Sequence, residues 1–507
     1  MRKILLVGIS TFALGAGAMA FASQQTKSPK AETYKMLELF GDVLATVEQQ
    51  YVVPVDDKKL IQAAIDGMLT SLDPHSGYLD PDGFDDMRDQ TRGEYGGLGI
   101  VVTAEDGAVK VVSPMDGTPA TRAGILAGDY ITAIDGETII GRSLNDAVKA
   151  MRGAVGTTIT LTLAREKADP FSVKLTREVI NVKSVTAKME GDYGVLRISG
   201  FDEKTGDETK AALRDFKAKN PKMKGIVLDL RNNPGGLVDS AVETASAFLD
   251  GGEVVSQRGR ETRDIQRYNA KAGGDMVKGL PMVVIINNGS ASASEIVAGA
   301  LKDRRRAEVI GLTSFGKGSV QTVIPLRGGV DGALKLTTAR YYTPSGESIQ
   351  KTGIAPDLEV ARTKQEAELM ADQSLQFSEA SFHNALDASE GKARSAAHTP
   401  AEIPPEGYDT KKDDFQLTRA MDVLKYGSVQ AAVKEKPYLT YAKAEPKFTV
   451  AKAGAAAATT TDGGAPAPAA GAAAQSAKPT PPSAVAPADK IGPSQRAPAV
   501  EPGAKAK

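Results

Sequence analysis

Residues 281–301 read P-M-V-V-I-I-N-N-G-S-A-S-A-S-E-I-V-A-G-A-L. The unbroken apolar run Pro281 to Ile286 predicts a strand, residues 287–292 a glycine- and serine-rich loop, and Glu295 to Leu301 a helix. Upstream the same grammar repeats. Gly225 to Leu230 (G-I-V-L-D-L) reads as a buried strand, R-N-N-P-G-G (231–236) as a loop and Leu237 to Leu249 as a helix, while Ala307 to Leu312 closes the series as a third strand. Right-handed crossovers make such strands parallel, and open parallel sheets keep their sites beyond the carboxyl ends of the strands. The loops 231–236 and 287–292 are therefore expected on one edge.

Other segments carry different patterns. Tyr34 to Tyr51 and Leu60 to Leu72 show apolar residues at helical spacing, predicting an N-terminal helical arm, which S-L-D-P-H-S-G-Y-L-D (71–80) breaks with Pro74 and Gly77. From about Gly93 to Arg177 short strands alternate with tight turns, interrupted by one helix, Leu144 to Met151, with Leu144, Ala147, Val148 and Met151 on one face. A small β domain with one groove-facing helix fits this stretch. From Ala451 to Lys507 the chain is nearly all Ala, Pro, Gly, Thr, Ser and Lys, too poor in apolar surface to offset its chain entropy, so a disordered tail is expected.

Composition removes several function classes. The 507 residues include 62 basic and 63 acidic side chains and no long basic run, which argues against a nucleic-acid partner. Zero cysteines exclude disulfides, thiolate metal sites, a cysteine nucleophile and a lipoprotein cysteine. Arg2 and Lys3 precede an apolar run from Ile4 to about Ala22, and Ala20-Phe21-Ala22 offers small residues for signal cleavage. Export to a periplasmic or other extracytoplasmic compartment is expected. An uncleaved anchor stays open, because the run approaches the roughly 20 residues that cross a bilayer.

Serine needs a base to become a nucleophile, and histidine is the usual one. Of the three histidines, His383 and His398 lie in a polar region and His75 precedes the β domain, so a Ser-His-Asp triad is not expected. None forms an H-E-x-x-H metal pair, and no cofactor is called for. Lysine can substitute where burial lowers its pKa toward neutrality. Lys317, in F-G-K-G-S-V-Q (315–321), follows the third strand at its carboxyl end between two glycines, and Gln321 can offer its amide oxygen to the amine. Taken alone, Lys317 also reads as a solvated lysine in a glycine turn. Ser292 to Glu295 forms a capping box, so Ser292 is equally the expected N-cap of its helix, where free N-H groups could stabilise an oxyanion. Ser314 to Lys317 and Lys351-Thr-Gly353 imitate the S-x-x-K and K-T-G signatures of penicillin-binding enzymes, but no S-D-N accompanies them.

N-x-x-S-A-S-A-S-E, F-G-K-G-x-V-Q, R-N-N-P-G-G and a preceding G-L-G-I occur in this order, and L-T-T-A-R-Y-Y-T-P-S-G and G-I-A-P-D follow. From Tyr34 to Val360 the chain resembles the C-terminal processing peptidases, the tail-specific S41 serine proteases. The resemblance implies a multidomain α/β protein: a crotonase/ClpP-like parallel-sheet core at 178–360 with an inserted β-rich PDZ domain at 93–177. Around these lie a signal peptide at 1–22, an N-terminal helical region at 32–92, a C-terminal helical region at 361–450 and the Ala/Pro tail at 451–507. It implies Ser292 as nucleophile, Lys317 as base and Gln321 as its orienting partner. Lys317 follows Ser292 by 25 residues and Gln321 follows Lys317 by four, matching the family's spacing. It further implies an oxyanion hole from the N-H of Ala293 and of Gly235 or Gly236, with Asp303 as structural support.

The PDZ resemblance assigns Gly97, Leu98, Gly99 and Ile100 to the loop that holds a chain-terminal carboxylate, the peptide adding as a strand beside it. Leu144, Val148 and Met151 would wall the groove, and Arg152 would gate the active site. Protein substrates with apolar C-termini are the implied partners. An adaptor protein and self-association through terminal helices, around 364–386 and 412–425 among them, are compatible with the resemblance. Two readings compete with an exported Ser-Lys endopeptidase: an inactive PDZ scaffold or chaperone, and an acyl-CoA enzyme on a related core.

Overall fold

The computed structural model describes residues 29–441 apart from 106, 167, 262, 372–377 and 388–400. The expected signal segment 1–22, His398 and the tail 451–507 lie outside the described residues.

Six strands form the central sheet, in the order 185–190, 193–198, 225–229, 282–286, 308–311 and 358–359. The first pair is antiparallel and the remaining pairings are parallel. The three strands predicted from the sequence therefore lie side by side as expected. Their unbroken apolar runs follow from burial on both faces. Leu228, Val284 and Ile286 face a cluster with Leu213, Phe216, Ala241, Ala245 and Val297 from the crossover helices Thr205–Lys219, Val238–Ser246 and Ala293–Asp303. Val227, Val283, Ile285 and Ile310 point the other way, onto Phe415, Ala420, Val423 and Leu424 of the helix Phe415–Tyr426. The C-terminal helix is thus the second layer of the core.

A second sheet was not foreseen. It joins 77–79, 333–342, 253–258 and 265–269, with 319–325 paired onto 333–342. The N-terminal region accordingly supplies more than an arm, because Gly77–Leu79 pairs with residues 333–335 of the core. The helices Pro29–Gln50 and Asp57–Thr70 form as predicted, and the first exposes Tyr34, Met36, Leu37, Phe40 and Val43.

The small β domain has a six-stranded sheet in the order 100–105, 108–114, 130–134, 158–164 and 171–176, with 100–105 at one end and the short strand 137–138 paired onto 130–134. Its helix runs from Leu144 to Met151, and its core gathers Leu98, Ile131, Ile159, Leu161, Ala147 and Met151. Chain entry and exit pair with each other: Glu94–Gly97 lies antiparallel to Glu178–Asn181. Gly97 therefore belongs to this two-stranded ribbon, which anchors the inserted domain, and Leu98 to Ile100 forms the turn into its first strand.

Of the helix expected around 364–386, the described residues show Lys364–Ala371, and 372–377 lie outside them. Residues 378–387 form an irregular strap with one short 3-10 turn, Glu379–Ser381. Its residues are held by tertiary contacts rather than by a helical ladder, since Glu379 N-H donates to the Phe315 carbonyl and Phe382 stacks near both Phe315 and His75.

Candidate active site

The serine run divides into three different environments. Ser290 and Ser294 are fully buried, their hydroxyls donating to the carbonyls of Leu230 (2.8 Å) and Asn233 (2.9 Å), so both stitch the serine loop to the loop 231–236. Ser292 is partly exposed and sits at φ 53°, ψ −113°, on the positive-φ side that costs a non-glycine residue on the order of 1–3 kcal/mol. It is the N-cap of Ala293–Asp303, in a capping box with Glu295.

The facing loop is glycine by necessity. A Cβ at Gly235 would lie 2.8 Å from Ser292 Cβ and 3.0 Å from Ala293 N, and one at Gly236 would lie 2.1 Å from the Phe201 carbonyl oxygen. Asn233, fully buried, fixes the loop: its amide donates to the Ile198 carbonyl and its Oδ1 accepts Gly235 N-H, both at 2.9 Å. Of the two glycines left open by the sequence, Gly235 therefore has its N-H engaged. The N-H groups of Ala293 and Gly236 have no acceptor among the described residues.

Glu295 has a role that sequence reasoning limited to capping. Its side chain is 0% exposed and accepts four donors: Ser314 Oγ at 2.5 Å and Gly316 N-H at 2.7 Å on Oε1, with Ser292 N-H at 2.7 Å and Lys317 N-H at 2.9 Å on Oε2. One oxygen thus joins the main chains of Ser292 and Lys317. Burial pushes this carboxyl up to about 7, against the pull of its four hydrogen bonds. The only advance signal was the motif S-x-x-E itself, which a surface helix would carry equally well. Ser314, the decoy serine, donates to Glu295 and accepts Ile354 N-H at 2.6 Å.

Lys317 is partly buried, and its ammonium makes no hydrogen bond or ion pair among the described residues. Burial is the main cause holding its pKa below the ordinary lysine value, and the Lys335 charge adds to it, while Glu379, Glu295 and Asp73 pull the other way. Lys335 carried no sequence signal. Gln321 donates to Ser319 Oγ (2.9 Å) and Thr337 Oγ1 (3.2 Å), which fixes its amide orientation and leaves Oε1 without a donor among the described residues. Ser292 Oγ and Lys317 Nζ share no hydrogen bond in this structure. Asp303, at the far end of the serine helix, accepts Ser345 N-H at 2.9 Å.

A cleft of about 560 Å³ runs from Tyr95 and Arg152 to Gly235, Gly236 and Lys335. Arg152 lies 4.5 Å from the Tyr95 ring centroid and 3.9 Å from Asp86, and its Nε is buried without a partner among the described residues. In the small β domain, Leu144, Val148 and Met151 pack with Ile100 and Val102 in one cluster, next to the unpaired edge of strand 100–105. Gly99 has φ +74°, and a Cβ there would meet Thr118 at 2.4 Å.

A serine at positive φ on a helix start, a lysine whose ammonium has no partner among the described residues and an inserted β domain fit a peptidase, and the comparisons with known proteins agree. Residues 192–360 match peptidase family S41, 110–165 a PDZ domain, and 11–83 the N-terminal domain of the activating protease CtpB. A carboxy-terminal-processing protease of Bartonella bacilliformis is 49% identical over 441 residues, covering 86% of this chain and 99% of the relative. A probable CtpA-like serine protease of Staphylococcus aureus is 39% identical over 350 residues, 68% of this chain and 69% of its own. Among solved structures, the photosystem II D1 C-terminal processing protease is 30% identical, covering 64% of this chain and 92% of that one with a TM-score of 0.39. The chain belongs to the PDZ-containing carboxy-terminal-processing serine proteases of family S41.

Proposed function

We propose that the protein is an exported endopeptidase in which Ser292 attacks the scissile carbonyl, Lys317 is the general base and Gln321 orients it. The observation carrying this reading is the single Glu295 oxygen that accepts the N-H of both Ser292 and Lys317. Neutral Lys317 takes the Ser292 hydroxyl proton as Oγ bonds to the carbonyl carbon. The N-H groups of Ala293 and Gly236 receive the oxyanion. Gly235 joins them if its bond to Asn233 opens. Lys317 then passes its proton to the departing amine, leaving an acyl-enzyme, and deprotonates the water that hydrolyses it. The absent Oγ to Nζ bond fits this reading, since catalytic hydrogen bonds often tighten only around substrate.

The PDZ groove captures an apolar C-terminus: Leu98, Gly99 and Ile100 receive the carboxylate, the edge of 100–105 pairs with the peptide, and Leu144, Val148 and Met151 contact its side chains. Tethering raises the local concentration of the scissile bond, and Arg152 at the head of the cleft gates its passage. The core is crotonase/ClpP-like in this reading. The segment from Arg2 to Ala22 directs the chain to the periplasm or another extracytoplasmic space. The exposed apolar face of Pro29–Gln50 supports self-association, and an adaptor remains compatible with the PDZ groove.

Digestion of a nonpolar-tailed protein by the parent, Ser292→Ala and Lys317→Ala tests the mechanism. Each variant is expected to lose about 10³-fold or more in kcat/KM. In the parent, kcat/KM rises with pH as Lys317 loses its proton, with a midpoint below 10.5 because burial depresses that pKa. Undiminished cleavage by both variants would overturn the Ser-Lys mechanism, whereas no cleavage by the parent itself would leave a PDZ scaffold or chaperone as the better description.

A further inference from the structure

The turn D-P-H-S (73–76) takes part in no step above, yet it docks on the strand opposite Gln321. Gly77–Leu79 pairs with residues 333–335, and Ser76 Oγ accepts Thr337 N-H at 3.1 Å. Between strands 319–325 and 333–342 a bulge falls at Val320 and Gln321, so the residue opposite Gln321 is Thr337 rather than Thr338. Residues directly opposite each other share a face of the sheet, which brings these two side chains together. Gln321 Nε2 donates to Thr337 Oγ1 at 3.2 Å, and Thr337 Oγ1 donates in turn to Asp73 Oδ1 at 3.0 Å.

The direction of this chain of hydrogen bonds is fixed at one end. Burial of Asp73 would by itself raise its pKa, but donors from Ser76, His75 and Thr337 outweigh burial and hold the carboxyl below its ordinary value. Ionised, it can only accept. Its Oδ1 takes the N-H groups of His75 and Ser76, both at 2.9 Å, beside the Thr337 hydroxyl, and its Oδ2 takes the Ser76 hydroxyl at 2.7 Å. Each hydroxyl has one proton, and Asp73 receives both. Ser76 Oγ also lies 3.4 Å from Thr337 Oγ1, but the shorter bond to Asp73 holds its proton. Thr337 Oγ1 therefore has only lone pairs to offer Gln321, and the group facing it must be the N-H₂.

Ser319 Oγ, 2.9 Å from the same nitrogen, can donate as readily as accept and does not make this choice. We propose that Asp73 sets the direction of the Gln321 amide through Thr337, leaving Oε1 for the Lys317 amine. This rests on the role of Gln321 proposed above. With Oε1 presented, Lys317 donates an N-H to it and keeps its lone pair for the Ser292 proton. A reversed amide would donate into that lone pair and block the base. Asp73 and Thr337 are positioning residues here, acting through Gln321.

The test is kcat and KM of the full-length enzyme on a nonpolar-tailed protein, read on the pH plateau above the Lys317 limb because the Asp73 charge also acts on that amine. Thr337→Val keeps the shape but cuts the chain, so kcat should fall about three- to tenfold, the worth of one neutral hydrogen bond, with KM within about twofold. Thr337→Ser keeps the hydroxyl and should recover most of the loss. Asp73→Ala should cost a similar factor. Asp73→Asn, whose Oδ1 the two main-chain donors hold in place, should recover most of it although the charge is gone. In a Gln321→Ala background neither Thr337→Val nor Asp73→Ala should cost anything further. Parent-like kcat in Thr337→Val, or the same loss with and without Gln321, overturns the relay, as does an Asp73→Asn as slow as Asp73→Ala. Should Asp73→Ala fail to fold, Thr337→Val and Asp73→Asn decide: a loss in the first beside near-parent kcat in the second is expected, and equal losses in both overturn the relay. Gln321→Ala at full activity removes the orienting role of Gln321 and the relay with it. An impaired Gln321→Ala beside an unmoved Thr337→Val removes the relay only.

Discussion

Two glycine-containing turns, one proposed here for chemistry and one for peptide capture, are built on opposite terms. Around Ser292 nearly every polar group is committed: Ser290, Ser294, Asn233 and Glu295 bond the loops 231–236, 287–292 and 313–318 to one another. The N-H groups of Ala293 and Gly236 stand apart from that mesh. In the PDZ domain the turn 97–100 is fixed at its ends by the ribbon and by Thr118, while the adjoining strand keeps a free edge. Chemistry needs a few donors in fixed positions, whereas strand addition needs a long vacant edge that many sequences can fill. Under the proposed function, rigidity is concentrated where atoms react, and vacancy where a chain is read.

The strongest way to break this contrast is Glu295→Gln. The side chain stays isosteric, but it can no longer accept from all four donors, so an N-H₂ group confronts either Ser292 and Lys317 or Ser314 and Gly316. Activity should fall about 10²-fold or more, with a stability loss of about 2–3 kcal/mol for buried donors left unpaired. Stability against pH adds a sign. Burial raises the Glu295 pKa from the ordinary 4.5 to about 7, so the stabilisation tied to its proton is full below 4.5 and fades as pH rises through about 7. The parent should therefore lose part of its advantage over Glu295→Gln between pH 5 and 8, measured by chemical denaturation. Parent-like activity in this variant would show that the loops are aligned without the carboxylate.

On the recognition side, Gly99→Ala sharpens the comparison. Its positive φ and the 2.4 Å approach of a Cβ to Thr118 force the turn to move, while the Ser292 loops are not touched. The ratio of cleavage of a tailed protein to an untailed peptide should fall about tenfold, with weaker capture of an apolar C-terminal peptide read by fluorescence anisotropy. An unchanged ratio would show that the turn does not choose substrates.

The sequence made the two patterns unequally legible. Unbroken apolar runs disclosed the parallel strands, and Leu144 to Met151 was readable because one face of it is apolar. The second sheet was hidden, since Gly77–Leu79 is short and pairs with residues more than 250 positions away. Ser292, Lys317 and Gln321 were visible through motif and spacing. The groups that surround them were not, because Glu295, Glu379 and Lys335 matter through burial and neighbours that no local window contains. His75 was set aside as a catalytic histidine, and it makes no contact with Ser292; its ring bonds a carboxylate 304 residues away.

The smallest expected effect lies where the two regions meet. Arg152 ends the groove helix, stacks on Tyr95 of the ribbon and lines the cleft that leads to Gly235 and Gly236. Its guanidinium is held only by the ring and a 3.9 Å approach to Asp86, with Nε buried and unpartnered among the described residues. A cation held this loosely can be drawn aside by an incoming chain at modest cost, since an exposed cation-π contact is worth about 0.5–1 kcal/mol. Arg152→Ala should change turnover of full-length substrates by about two- to fivefold, and Arg152→Lys should restore part of it. Identical kinetics on full-length and untailed substrates in both variants would separate the two regions, leaving the ribbon as an anchor and the PDZ domain as a tether without a gate.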